Sequence, residues 1–308
     1  MSKIQELCPY YVSKIWGGSR LAKLKGIENK NVLPLGESWE VSLLQEGTSF
    51  LLSGEKLTEL VNDTDIPYLV KFIDTTDYLS IQVHPNDDYA AKFEGSTGKT
   101  ECWVILEADP GEGIYLGLKK GVTKKEFKDS VLKKARVDDL LNFFPVKKGD
   151  FFFVPAGTVH AIGKGVTLAE VQQSSGVTYR VWDWNRLGLD GKPRDLHIKK
   201  ALDVINFGEE FNSVDFFNKQ ENIFNQKNRE LVKHKDFKLE VICLDTEEEF
   251  IVKKAEKNRK RALIILSGEI SIENEKLYPY KSYLLWTDEL VKIQGGSLLN
   301  HSTCLLIS

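Results

Sequence analysis

Gly149-Asp-Phe-Phe-Phe-Val-Pro-Ala-Gly-Thr-Val-His160 is the stretch on which the fold turns. Phe151, Phe152, Phe153 and Val154 form a short apolar run between Gly149-Asp150 and Pro155, with the length and composition of a buried strand. Pro155 has no amide hydrogen to give a sheet ladder, and Gly157 tolerates the backbone angles of a tight turn, so the run stops there. His160 then stands where a second strand begins and can send its imidazole inward. Upstream, Gln82-Val83-His84 places Gln82 and His84 on one strand face, because side chains alternate with a period of two. Glu101 adds a carboxylate from a third segment. Two imidazoles, a carboxylate and an amide oxygen on three short strands make the donor set of a metal site with positions left open. The 308 residues contain only five histidines, and two of them fall in this arrangement. That weighs against reading either as an ordinary core histidine.

Working outward, short β-like runs cover the first two thirds of the chain at 39–44, 68–73, 79–83, 102–106, 113–118, 151–154, 166–172 and 176–181. Gly, Pro, Asn and Asp clusters separate them, the pattern of an antiparallel barrel or jelly roll. Two helical segments interrupt it. Thr123-Lys-Lys-Glu126 reads as a capping box that opens a lysine-rich helix carrying Phe127, Val131 and Leu132, with Leu140 and Leu141 beyond. The second runs over 193–205, with Leu196, Ala201, Leu202 and Ile205 on one face. From 207 to 236 no period is clear, and the segment reads as a crossing between barrels. Beyond it, β-like runs at 239–244, 250–252, 262–266, 269–272, 282–286 and 304–307 predict a second, smaller barrel. It contains His301 but lacks the strand-Pro-x-Gly-x-x-His phrase, so no metal is expected there. The expected fold is mainly β, two jelly-roll barrels with a few flanking helices. Residues 1–225 form the larger, with a helical insertion around 119–143, and 226–308 form the smaller.

Apolar residues make up 42% and charged residues 28% of the chain, ordinary values for a globular protein. The formal net charge is −3, so no basic face is available to recruit nucleic acid, and an anionic small molecule must be met by local cations. The four cysteines (Cys8, Cys102, Cys243, Cys304) form no C-x-x-C pair and read as reduced thiols. With no apolar leader and no run of transmembrane length, the expected location is the cytoplasm.

The phrases around the donor residues carry a family resemblance. Gly149 to His160 resembles the second metal motif of cupins, and Gln82-x-His84 the first, with Gln in place of the leading His. Leu79-Ser-Ile-Gln-Val-His-Pro85, Gly98-Lys-Thr-Glu-Cys-Trp103, Pro155-Ala-Gly-Thr-Val-His-Ala161, Gly36-Glu-Ser-Trp-Glu40 and Tyr179-Arg180 occur in the order found in class I mannose-6-phosphate isomerases (phosphomannose isomerases) of the short bacterial form. The match runs from about Trp16 to about Asn206. The last hundred residues match by position and length only.

The resemblance implies a metal-dependent aldose–ketose isomerase that interconverts mannose-6-phosphate and fructose-6-phosphate through an enediol. Imidazole and carboxylate ligands suit zinc, iron, manganese or nickel. The family implies zinc, one ion in the larger barrel, on His84, Glu101 and His160 with Gln82 as fourth ligand. The other reading of Gln82 is a hydrogen-bond donor that orients a ligand. Arg180, Lys71, Lys99 and Glu170 match family pocket positions and are the expected catalytic group. Lys71 interrupts an apolar run, and Lys99 shares a strand face with Glu101. Ser80 and Arg186 match phosphate-end positions, although longer relatives carry lysine where Arg186 stands. The expected partner is a small sugar phosphate, with no nucleic acid or membrane, and the expected state is a monomer or weak homodimer. Two His and a carboxylate also suit an iron dioxygenase, but an oxygenase has no general need for so many cations. A non-enzymatic sugar-binding cupin is disfavoured because all four donors are present.

Overall fold

The computed structural model describes residues 3–27, 34–188, 191–254, 259–273, 275–287, 289–296 and 301–308. Its described strands pair antiparallel throughout, in sheets of seven, six, five and four strands. The six-stranded sheet runs, edge to edge, Phe151–Val154, Glu101–Ala108, Val166–Gln173, Tyr68–Asp74, Leu35–Val41, Tyr10–Gly18. The five-stranded sheet runs Tyr179–Trp182, Ile81–Val83, His160–Ile162, Gly113–Leu118, Leu141–Pro145. These two face each other and bury Ile73, Trp103, Ile105, Phe152 and Leu168 of one against Ile114, Leu116 and Ile162 of the other.

Both faces of the six-stranded sheet are covered. Along the Glu101–Ala108 strand, Trp103 and Ile105 point into the sandwich just described, while Cys102, Val104 and Leu106 point the other way. There they meet Leu239, Val241, Ala262, Ile264 and Leu305 of the seven-stranded sheet. That sheet in turn packs Leu263, Ile265 and Leu306 against Ile270, Ile272 and Ile293 of the four-stranded one. The result is a stack of four sheets with helices on the outer face of the five-stranded layer. A strand covered on both faces needs apolar residues at successive positions. That is why Cys102-Trp-Val-Ile-Leu106 and Ala262-Leu-Ile-Ile-Leu266 read as unbroken apolar runs.

The first strand, Ile4–Cys8, does not join the neighbouring N-terminal strands. It lies in the seven-stranded sheet between Ser282–Leu285 and Phe50–Leu51, with Ile4 opposite Leu285 and Leu7 opposite Leu51. A buried polar knot ties the same two layers. Glu40 accepts from Ser38 Oγ at 2.5 Å, from Lys25 Nζ at 2.8 Å and from Ser282 Oγ. Lys25 also donates to the Tyr280 carbonyl at 2.7 Å.

The helices are shorter than the sequence predicts. Thr123 Oγ1 accepts from the Glu126 amide at 3.1 Å and opens Lys124–Leu132, which buries Phe127 and Val131 but leaves Leu132 exposed. The chain leaves the helix through Lys134, whose φ is 52°, and forms a separate turn of 3-10 helix at Val137–Leu140. The next helix is Ile198–Val204. Its expected start is pulled straight because His197 N donates to the Arg180 carbonyl at 2.7 Å, so Leu196 lies outside the helix and is exposed. An unanticipated helix, Asp87–Glu94, is capped by Asn86 Oδ1 accepting from Tyr89 N at 3.0 Å and closed by left-handed Gly95. Among the described residues no helix is long and apolar enough to cross a membrane.

Candidate metal centre and substrate cavity

The centre is assembled where the ends of several strands meet. The turn after Phe151–Val154 closes with Thr158 N donating to the Pro155 carbonyl at 3.1 Å. Gly157, at φ 85°, donates its amide to the His84 carbonyl at 2.8 Å, and a Cβ there would meet Asn206 Nδ2 at 2.4 Å. Only glycine meets both demands. His160 then pairs with Gln82 across adjacent strands. On the opposite sheet, Gly98 lies so close to Asp87 N (2.6 Å from an added Cβ) that the chain can run Lys99 alongside Pro85, with Lys99 N donating to the Pro85 carbonyl at 3.0 Å. Glu101 follows two residues later.

His84, Glu101 and His160 are all buried, and one donor atom from each lies within 4.8 Å of the others. His84 Nε2 is 3.3 Å from Glu101 Oε2, and His160 Nε2 is 3.3 Å from Oε1. Both imidazoles use Nδ1 on backbone carbonyls, those of Val177 and Thr158, each at 2.9 Å. A carbonyl only accepts, so Nδ1 carries the proton and Nε2 offers its lone pair to the centre. Burial, with Lys99 next in weight, pushes the His84 pKa down to about 3, and burial lowers that of His160. Both rings are therefore neutral, the form that binds metal. Burial alone would raise the Glu101 carboxyl, but the Lys99 ammonium, 3.1 Å away, holds it well below the usual range.

His84 Nε2 and both Glu101 oxygens are buried without a hydrogen-bond partner. Apart from the Lys99 ammonium beside Glu101 Oε2, no donor serves these converging lone pairs among the described residues, an arrangement that is costly unless a cation sits among them. Two neutral imidazoles and a carboxylate suit a zinc-like divalent ion, and these residues fit one. Gln82 Nε2 lies 3.2 Å from His160 Nε2, with Oε1 toward Ser80 Oγ at 3.4 Å. Rotating the amide half a turn exchanges the two ends, which places its oxygen beside the same imidazole.

A cavity of about 300 Å³ adjoins the cluster, and Ser80, Gln82, Lys71, Lys99, Glu170 and Arg180 all line it. One cross-strand row runs through its wall: Trp39, Lys71 and Glu170 line the cavity, and Trp103, next in the row over four strands, lies behind it. Lys71 Nζ stands 3.6 Å from Glu170 and 3.8 Å from Glu37, above the Trp39 ring. Trp103 Nε1 donates to Glu170 Oε2 at 3.0 Å, while Oε1 has no hydrogen bond. Burial, and then the Glu101 charge, raise the Glu170 pKa. Arg180 donates Nη1 to the Asp195 carbonyl at 3.0 Å, and its buried Nε has no partner.

Nine of the ten residues singled out from sequence thus surround one centre and its cavity. Arg186 does not reach the wall. Glu37 and Arg194 do, and neither was singled out. Glu37 had a legible signal, a carboxylate in the Gly36–Glu40 phrase. Arg194 had none.

A mannose-6-phosphate isomerase of Streptococcus mutans is 41% identical to this chain over 215 residues, covering 65% of the chain and 67% of that protein. The chain belongs to the mannose-6-phosphate isomerase family. Its aligned part spans about two thirds of the length of the curated relatives it matches. The crystal structure of the mannose 6-phosphate isomerase from Bacillus subtilis superimposes with a TM-score of 0.82 at 26% identity, over 99% of both chains. A mannose 6-phosphate isomerase solved with zinc bound shares the fold, with a TM-score of 0.76 at 17% identity over 99% of both chains. No family model matches the chain.

Proposed function

We propose that the chain interconverts mannose-6-phosphate and fructose-6-phosphate with a divalent metal, zinc being the best fit. The observation that carries this reading is the buried convergence of His84, Glu101 and His160 donor atoms beside a cavity lined by Lys71, Lys99 and Arg180. Its support is family membership together with the chemistry of the donors. In this reading one zinc ion is held by His84, Glu101 and His160, with the Gln82 amide oxygen as fourth ligand. When bound, it supplies Lewis acidity that draws electron density from the substrate's carbonyl and hydroxyl oxygens.

The chain's own residues then move protons and meet charge. Glu170, as carboxylate, takes the C2 proton of the aldose, and the C1 carbonyl oxygen gains a proton, giving the enediol. Return of the proton from Glu170 to C1, with the O2 proton replacing at its donor the one that O1 took up, gives the ketose, and no atoms are gained or lost overall. The raised Glu170 pKa suits a group that must carry this proton between the two carbons. Lys71 steadies Glu170, while Lys99 and Arg180 meet negative charge developing on oxygen. Ser80 offers a hydroxyl on the same wall.

We read residues 1–225, with the helical segment around 119–143, as the catalytic barrel, and 226–308 as a barrel without metal. The first strand crosses from one to the other. The working unit in this reading is a cytoplasmic monomer or weak homodimer that engages neither nucleic acid nor membrane. The test is direct. Chelation abolishes formation of fructose-6-phosphate from mannose-6-phosphate, and zinc restores it best. Full activity in protein shown by elemental analysis to be metal-free defeats the reading.

A further inference from the structure

Past the Arg180 strand, Trp184 and Asn185 adopt positive φ (56° and 54°) and fold the chain back on itself. The turn brings two arginines to one carboxylate. Asp183, 6% exposed, accepts from Arg186 Nε at 3.1 Å and Nη2 at 3.0 Å, and from Arg194 Nε at 2.6 Å and Nη2. The two arginines differ in what they have left. Arg186 gives Nη1 to Asp77 at 3.0 Å and stays out of the cavity wall. Arg194 lines the cavity, and its Nη1 enters none of the described contacts. An arginine fork has a side edge, Nε with Nη2, and an end edge of the two Nη groups. Asp183 occupies the side edge of Arg194 and leaves the end edge open. It also divides one negative charge between two guanidinium ions, so the group facing the cavity stays positive. Arg180, with its buried and unpartnered Nε, lines the same cavity.

Resting on the isomerase reading above, we propose that Arg194 is the guanidinium that binds the substrate's phosphate. Asp183 fixes its orientation, and Arg186 is a positioning residue behind Asp183 rather than a ligand. A planar fork whose other edge is already anchored presents two parallel N–H groups to two phosphate oxygens with little ordering left to do. The phosphate does not react, so its contacts are alike in ground and transition states, and their loss appears in KM.

The test compares Arg194→Gln, Arg194→Lys and Arg186→Ala with the wild type, using mannose-6-phosphate turnover and binding of inorganic phosphate by calorimetry. Arg194→Gln is expected to raise KM roughly 10- to 100-fold, the scale of a lost charged hydrogen bond, and to weaken phosphate binding in step. Its kcat and thermal midpoint should stay close to wild type. Arg194→Lys should recover part of the KM, and Arg186→Ala should raise KM by less than Arg194→Gln. Unchanged KM and phosphate affinity in Arg194→Gln, or a larger KM effect from Arg186→Ala, overturns the assignment. If Arg194→Gln proves unstable, Arg194→Lys decides by the same two measurements. Should the wild type form no fructose-6-phosphate, the isomerase reading falls, and phosphate affinity still decides whether Arg194 is an anion ligand.

Discussion

The space between the five- and six-stranded sheets and the space between the seven- and four-stranded sheets are built alike and filled differently. The second is apolar over most of its width, with Ile242, Leu263, Ile265 and Cys304 facing Val252, Ile270, Leu277 and Ile293. Its buried cation, Arg261, donates to the backbone carbonyls of Thr287 and Glu289 at 2.6 and 3.0 Å, a structural tie between loops. The first is apolar only in part. Elsewhere it buries Lys71, His84, Lys99, Glu101, His160 and Glu170, and among the described residues it holds the one His/Cys/Asp/Glu group arranged to take a metal. Burying opposed charges in place of packed hydrocarbon seldom adds stability. A sandwich that keeps them does so for what they bind, and its neighbour shows what the same architecture looks like without that demand.

Substitutions and treatments that separate the two interiors test this contrast. The largest effect belongs to the metal. Chelation should lower activity about 10³-fold or more, the scale of several kcal/mol of lost charge stabilisation, while the thermal transition stays cooperative. A global collapse on chelation would mean that the metal holds the fold and that the two interiors are not independent. His160→Ala should bring activity to a similar floor and lower metal content, with circular dichroism unchanged, because Trp103, Ile105 and Phe152 still pack beside it. A zinc-loaded, active variant would make His160 a core histidine after all.

Arg180→Ala should keep its metal and lose about 10²–10³ in kcat, as expected for one donor to developing charge. An effect confined to KM would move Arg180 to the phosphate end. On the other side of the comparison, Ile265→Ala should cost about 2–5 kcal/mol of stability and leave kcat/KM unchanged well below the transition. Altered kinetics at that temperature would show that the apolar sandwich governs the polar one. The smallest change is Thr123→Ala, which removes the cap of a surface helix. Denaturant unfolding should register about 1 kcal/mol and steady-state assays nothing.

The centre was legible because each of its donors sits in a short phrase whose local physics is strong. A proline and glycine end one strand and aim His160, and a period of two pairs Gln82 with His84. The cavity's cations were legible where a charge interrupts an apolar run, as at Lys71. Arg186 and Arg194 were not separable in the same way. Which of them faces the cavity depends on left-handed backbone at Trp184 and Asn185, residues with no glycine to announce it. The stacking of four sheets was half visible. Unbroken apolar runs such as Ala262-Leu-Ile-Ile-Leu266 signal two buried faces, but nothing local says which sheet covers which. The end of the Ile4–Cys8 strand's journey was invisible, since its partners lie at the far end of the sequence.

That placement has a consequence in time. Ile4 pairs with Leu285, so the strand that holds it waits for one made 281 residues later. At a synthesis rate of about 5–20 residues per second, the wait is roughly 15 to 55 seconds. Throughout it, Ile4 and Leu7, both buried in the finished molecule, have Phe50–Leu51 on one side and no strand on the other. Because the Glu40 knot also needs Ser282 and the Tyr280 carbonyl, the nascent N-terminal half carries a charged group with its partners incomplete over the same interval. That edge of the seven-stranded sheet therefore closes late, once Ser282–Leu285 has been made.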